Sequence, residues 1–168
     1  MNKKTIITIS TLCLFAGAVV GAIYNIFMYK YYDKQECSTS LVVYNNNVRA
    51  NITLNFMYSL ENKNGIVAVS GTYLEDNKLK GRIRRDVAYD WTENQDSYHL
   101  HSTRINKFDI IETLPDALLA NILPDFYVYP NEEVSYTILN QGIHGFLFTI
   151  GTRPLFYCAR QGSLPLQP

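Results

Sequence analysis

The chain has 168 residues, with 15 Lys and Arg against 15 Asp and Glu, so its formal net charge is zero. That balance argues against a nucleic-acid binder, which needs a basic excess to neutralise phosphates. Thirteen Tyr and eight Phe, in short runs separated by Asn, Asp and Gly, favour strands.

Residues 5–28 read TIITISTLCLFAGAVVGAIYNIFM, with no ionised side chain inside the run. At about 1.5 Å per residue, about 24 residues make a helix of about 36 Å, enough to cross a hydrocarbon core of about 30 Å. Lys3 and Lys4 lie in a leader of residues 1–4 that stays cytoplasmic, while the long following part is translocated. Lys30 and Lys34 on the far flank are offset by Asp33 and Glu36, and Tyr24, Tyr29, Tyr31 and Tyr32 gather there as an interfacial belt would. The competing reading is a cleaved signal peptide, with an apolar region at residues 6–15 and Ala16-Gly17-Ala18 as the cleavage site. The run continues for ten residues beyond Ala18, which favours an uncleaved anchor. A lipoprotein role for Cys13 meets Leu12 where a small residue belongs, and a thiol in an apolar helix is the simpler account.

The expected order is then a juxtamembrane link at 29–36, one extracytoplasmic domain at 37–160, and a tail at 161–168 that has no periodicity and is expected to be disordered. Cys37 and Cys158 are the thiols of that domain. In an oxidising compartment an even count suggests one disulfide, which would close a loop of about 120 residues and stabilise by roughly 4–5 kcal/mol in chain-entropy models. Two free buried thiols are the alternative. A metal pair is poorer, since two thiolates are too few ligands.

Residues 37–44 read as a first strand and Asn45-Asn46-Asn47 as a turn. Residues 48–60 alternate with period two, with Ala50, Ile52, Leu54, Phe56, Tyr58 and Leu60 on one face. Residues 66–74 form a strand in which Gly71 marks a bulge or bend, and 78–91 form another whose inner face carries Leu79, Gly81, Ile83, Arg85, Val87, Tyr89 and Trp91. Residues 96–106 put Tyr98 and Leu100 inward and His99, His101 and Thr103 outward. The period then changes to helical, giving a helix of about two turns that starts near Pro115 and ends at Pro124. Residues 126–129, 134–140, 145–150 and 154–159 read as four further strands. Eight or nine strands with hairpin links and one helix predict a mainly β, antiparallel, lipocalin-like barrel, closed or incomplete, with a two-layer sandwich second.

No spacing assembles catalytic chemistry: there is no G-x-S-x-G elbow, H-E-x-x-H motif, phosphate-binding glycine loop or dinucleotide fingerprint. Neither enzymatic activity nor a cofactor is expected. His99 and His101 share one side of a strand and, with His144, make a weak metal candidate; the better readings are a solvated face or a pH-sensing one. Lys78, Lys80, Arg82 and Arg84 form a cationic stripe, read either as a solvated face or as a docking surface for an acidic partner or anionic amphiphile. The inward aromatics Phe56, Tyr58, Tyr73, Tyr89, Trp91, Phe126, Tyr136, Phe146, Phe148 and Phe156 either line a ligand pocket or fill a core, and periodicity does not separate the two.

Several features together resemble small bacterial inner-membrane proteins of the FidL-like group and its PsaF, MyfF and ToxS-type relatives. They are the N-terminal anchor, Cys37 soon after it, Arg84-Arg85-Asp86-Val87, Leu123-Pro124-Asp125-Phe126-Tyr127 and the closing Gly151-Thr152-Arg153-Pro154-Leu155-Phe156-Tyr157-Cys158. The resemblance implies a single-pass inner-membrane companion with a cytoplasmic N-terminus and a periplasmic domain. Such a companion pairs with and stabilises a ToxR-like membrane-spanning transcription activator that controls virulence or fimbrial genes. It further implies sensing of bile salt, pH or temperature, a bile-salt-like amphiphile as ligand, membrane lipid around the anchor, and Cys37–Cys158 as a structural disulfide. A barrel shared between the two chains would leave an open edge on this one. The alternatives are a periplasmic assembly factor or chaperone for a surface fibre, and a stand-alone carrier of a hydrophobic ligand.

Overall fold

The computed structural model describes residues 15–25 and 34–160. The chain divides into two units, Met1–Lys34 and Gln35–Pro168. Of the first, residues 15–25 are helical (α1) and exposed. No helix among the described residues is long and apolar enough to cross a membrane. The leader, most of the expected anchor and the tail at 161–168 lie outside the described residues.

The second unit is a closed barrel of eight strands, each paired with its sequence neighbours. They are β1 (Lys34–Asn45), β2 (Val48–Ser59), β3 (Asn64–Glu75), β4 (Lys78–Asn94), β5 (Ser97–Lys107), β6 (Glu133–Asn140), β7 (Gly145–Ile150) and β8 (Arg153–Arg160). Chain alternation drives this: Ala50, Ile52, Leu54 and Phe56 of β2, with Val67 and Val69 of β3 and Ile83 and Val87 of β4, form the inner face. Asp76 and Asn77 both take positive φ in the two-residue β3–β4 hairpin, a conformation that Asn and Asp tolerate.

The closed antiparallel barrel is as expected, whereas the open edge implied by the resemblance and several local readings are corrected. The barrel closes within this one chain, because β8 returns to β1, with Cys37 opposite Arg160 and Ser38 opposite Ala159 among the described pairs. Next to that short seam Cys37 and Cys158 form the disulfide, with Cα atoms 5.3 Å apart. An incomplete barrel is therefore not what forms. Secondly, residues 126–129 are no strand: Asp125–Tyr127 is a 3-10 turn between Pro124 and Pro130 that sends the consecutive Phe126 and Tyr127 both inward. The expected two-turn helix is one turn, α2 (Asp116–Leu119). Thirdly, Leu79 points out and is 54 % exposed. Tyr73 pairs with Gly81 but Leu74 with Leu79, so Lys80 is an extra residue that flips the phase of everything before it. The bulge is there and not at Gly71, whose missing side chain instead makes room for the Asn51 carbonyl. β1 also starts earlier than expected, at Lys34.

One end of the barrel is sealed by residues 108–132, the connection between β5 and β6. β5 pairs with β4 only from Arg85 onward, so the earlier part of β4 lacks that neighbour. The connection supplies it: Phe108 N donates to Arg84 O (3.1 Å), Thr113 N to Arg82 O (3.0 Å), and Glu112 Oε2 accepts from Arg84 N (3.0 Å). Leu114, Leu119, Ile122, Leu123, Phe126 and Val128 then enter the core as a plug. Pinning it is Arg85, which the alternation places inward among apolar residues and which is wholly buried. Its guanidinium pairs with Glu112, donates to Asp116 (2.8 Å) and reaches Val128 O (3.2 Å). An inward charge on an apolar face is tolerated because each of its edges has an acceptor.

Candidate functional site

The plug occupies the end where β4 begins. At the other end, where β4 finishes, a cavity of about 230 Å³ lies between Gln35 of β1, Tyr58 and Leu60 at the end of β2, and Tyr89 and Trp91 of β4. Tyr98 and Leu100 of β5, Ile138 and Asn140 of β6, Phe146 and Phe148 of β7, and Arg160 of β8 complete it. Every strand but β3 contributes residues near this end, so the cavity is the unfilled top of the core. Gly65 helps: a Cβ there would stand 2.6 Å from the Tyr89 ring. β1 starts at this same end.

The wall is aromatic, with Trp91 and Tyr98 centroids 5.6 Å apart and Tyr58 edge-on to Phe146 at 6.1 Å. Among the described residues Arg160 is the one charged residue of the lining, and its guanidinium lies 4.8 Å from the Phe146 ring centre. Burial pushes the Tyr58 hydroxyl well up, and the nearby Arg160 charge offsets only part of that. Burial likewise raises Tyr89. Tyr98 is pushed up to about 12, first by burial and then by its hydrogen bond to Glu93 (2.9 Å). These hydroxyls are therefore neutral at physiological pH. The Trp91 indole N–H is buried and meets no acceptor among the described residues, while Lys63 Nζ lies 6.0 Å from its ring.

The inward aromatics divide between the two readings left open by periodicity. Tyr58, Tyr89, Trp91, Phe146 and Phe148 line the cavity, but Phe56, Tyr73, Phe126, Tyr136 and Phe156 fill core. Phe56 stacks on Phe148 at 5.1 Å, and the Tyr127 and Tyr136 hydroxyls meet at 3.0 Å. Gln35, Leu60, Tyr98, Leu100, Ile138, Asn140 and Arg160 were missing from the expected set. The alternation already turned Tyr98 and Leu100 inward; their position one rung from a strand end is the signal that separates wall from core.

The other candidates are dispersed. His99 is exposed and shares a 2.7 Å hydrogen bond with Ser135 Oγ; His101 stands in register between Asp90 and Glu133, and His144 is in the β6–β7 turn. Among the described residues no group of three His, Cys, Asp or Glu is placed to hold a metal. The bulge at Lys80 breaks the cationic stripe, taking Lys78 out of phase with Arg82 and Arg84 and leaving Lys80 to pair with Glu75 at 3.3 Å. In exchange Leu79 joins Ile110 (99 % exposed), Ile111, Lys80 and Arg82 around a shallow groove on the outside of the plug. Arg84 lies 5.1 Å from the neighbouring Phe108 ring.

The fold and cavity define a small, closed, eight-stranded up-and-down barrel, sealed at one end and open at the other. The chain belongs to the YqeJ C-terminal domain family, whose model matches residues 34–158. It is 41 % identical over 158 residues to "Uncharacterized protein YqeJ" of Escherichia coli (strain K12), covering 94 % of this chain and 98 % of that one.

Proposed function

We propose that this chain is a membrane-tethered, periplasm-facing accessory protein whose barrel binds a partner at its plugged end and a small hydrophobic ligand at its open end. The partner is a single-pass transcription activator of the ToxR-like kind, as the likeness to FidL-like, PsaF-type and ToxS-type companions implies, with virulence or fimbrial genes as its targets. The observation that supports this reading is the division of labour between the two ends. One end carries an aromatic cavity, and the other carries exposed Leu79, Ile110 and Ile111 beside Lys80 and Arg82. An apolar ridge with a cationic rim fits a partner surface with an apolar centre and acidic edge.

The mechanism is mass action: binding stabilises the regulator's active form, and the ligand shifts the pair's equilibrium. Because the barrel closes by itself, the pairing is a contact of outer surfaces. An apolar cavity of about 150 Å³ holds benzene, so this one takes one or two rings of a bile-salt-like amphiphile and not its whole skeleton. A fibre chaperone acting by strand addition needs a free edge, which closure removes. The stand-alone carrier keeps the cavity and discards the partner.

Cross-linked, tagged protein from its native membrane is expected to bring down a single-pass protein with a cytoplasmic winged helix. Lys80→Glu with Arg82→Glu is expected to leave the fold intact and abolish that association. Retained association would reject the docking face, and capture of fibre subunits would favour the chaperone.

A further inference from the structure

We infer that the outer face of β6, β7 and β8 docks a second copy of this chain, giving a two-fold pair of barrels with Leu147 at its axis. This pairing uses neither the plugged end nor the cavity.

The outer wall of the barrel is divided. On β4 and β5 it carries Arg82, Arg84, Asp86, Asp90, His99 and His101. On β6, β7 and β8 register builds an apolar row instead: Leu139 stands opposite Leu147, and Leu147 stands opposite Tyr157. The register shift past Phe148 leaves Leu155 as an extra residue of β8, also turned out. Leu139, Tyr157 and Leu155 are 39–49 % exposed, and Leu147 between them is half-buried. A continuous exposed apolar band of this kind marks an interaction surface more often than a chance feature.

Charge is confined to the margins. Among the described residues, the turns at 141–144 and 151–152 hold no Asp, Glu, Lys or Arg. Glu133 starts β6 and Arg153 starts β8, both toward the plugged end, while the Arg160 guanidinium lies against the inward Phe146 ring. Glu36 on β1 and Asp96 at the head of β5 mark the open-end margin, two strands from β7, where the wall curves away. Arg49 of β2 and Glu61 of the β2–β3 turn lie beyond β1. A face without central charge offers a charged partner little to read and a second copy nothing to repel.

Symmetry selects the second copy. A two-fold axis parallel to the strands and passing over β7 lays the face on itself and exchanges β6 with β8. Leu147 then meets its own counterpart, and each Leu139 meets the other copy's Tyr157, a smaller side chain against a larger one. The same operation turns the Glu133 edge of one copy toward the Arg153 edge of the other, so the margins are opposite in sign. Three strands at about 4.8 Å spacing give a contact of roughly a few hundred Å², below the about 800 Å² that each partner of a standard interface buries. Pairing is therefore reversible, and it is favoured when the chains share one membrane at high local concentration. Where the plugged end holds a regulator as proposed above, a pair of barrels sets two regulators side by side.

The test places p-benzoylphenylalanine in the full chain in intact cells, once at Tyr157, where it keeps an aromatic ring, and once at His99 on the charged flank. After irradiation, Tyr157 is expected to give an adduct of twice the chain mass that contains only this protein, and His99 none. Adding Leu139→Lys to the Tyr157 version is expected to lower that adduct about tenfold or more, because it sets a charge against the ring, while circular dichroism stays unchanged. Homodimer adducts equal at both positions, an adduct at Tyr157 with a different protein, or no dimer adduct at Tyr157 overturns the pairing. The comparison of the two positions decides even where the Leu139 variant fails to fold.

Discussion

Replacing Arg85 by Ala is expected to destabilise the barrel by about 3–5 kcal/mol, the usual cost of leaving a buried charge without its partner. Arg85 is wholly buried, and the Glu112 side chain that it holds is 4 % exposed. Glu112 also caps Arg84 N, so losing the guanidinium strands a carboxylate that helps lace the plug onto β4. The measurement is urea unfolding followed by circular dichroism, with a clear fall in midpoint; a loss under about 1 kcal/mol would contradict the pinning role. Pairing Arg85→Met with Glu112→Leu is expected to recover much of the loss, because no charge is then left buried.

The same network sets an acid limit. Burial pushes the Asp116 carboxyl up, but hydrogen bonds from Lys107 and Arg85 outweigh it and hold the group below the usual carboxylate range. A lowered folded value means that Asp116 contributes stability in full above its unfolded value, about 3.9. That contribution fades as pH falls through the lowered folded value, so Asp116→Asn is expected to flatten stability against pH below about pH 4.

Removing the disulfide is the second large effect. Cys37 and Cys158 are separated by 121 residues and lie beside the β1–β8 seam, whose described register covers two residue pairs. Chain-entropy models give roughly 4–5 kcal/mol for a loop of this length. Cys37→Ala with Cys158→Ala, or the reduced wild-type protein, is expected to unfold at a much lower urea concentration than the oxidised form. Equal midpoints would mean that the seam holds without its covalent link.

The barrel was readable where one rule governs. Unbroken alternation in residues 48–60 identified β2 and its buried face, and the helical spacing of Leu114, Leu118, Leu119 and Ile122 located the insertion after β5. The misreadings come from features that alternation cannot encode. The bulge at Lys80 depends on how β3 and β4 pair, so strict alternation places Leu79 on the wrong side. Consecutive burial of Phe126 and Tyr127 mimics a strand in an aromatic-rich segment, although prolines on both sides hold it in a tight turn. Arg85 stood out on an apolar face, but its acceptors Glu112 and Asp116 lie 27 and 31 residues away and no local pattern joins them. The cavity follows from which rung of the barrel a side chain occupies, and that becomes visible only once eight strand ends are aligned.

The pairing at the plugged end is tested most directly by a photo-crosslinking amino acid placed in the full chain in intact cells, once at Ile110 and once, as a control, at Ile143 of the β6–β7 turn. Both positions are exposed, at 99 % and 73 %, and they lie toward opposite ends of the barrel. The expected result is an adduct at Ile110, absent at Ile143, with a single-pass membrane protein that carries a cytoplasmic DNA-binding domain. Adducts with fibre subunits, equal adducts at both positions, or none at Ile110 would contradict it.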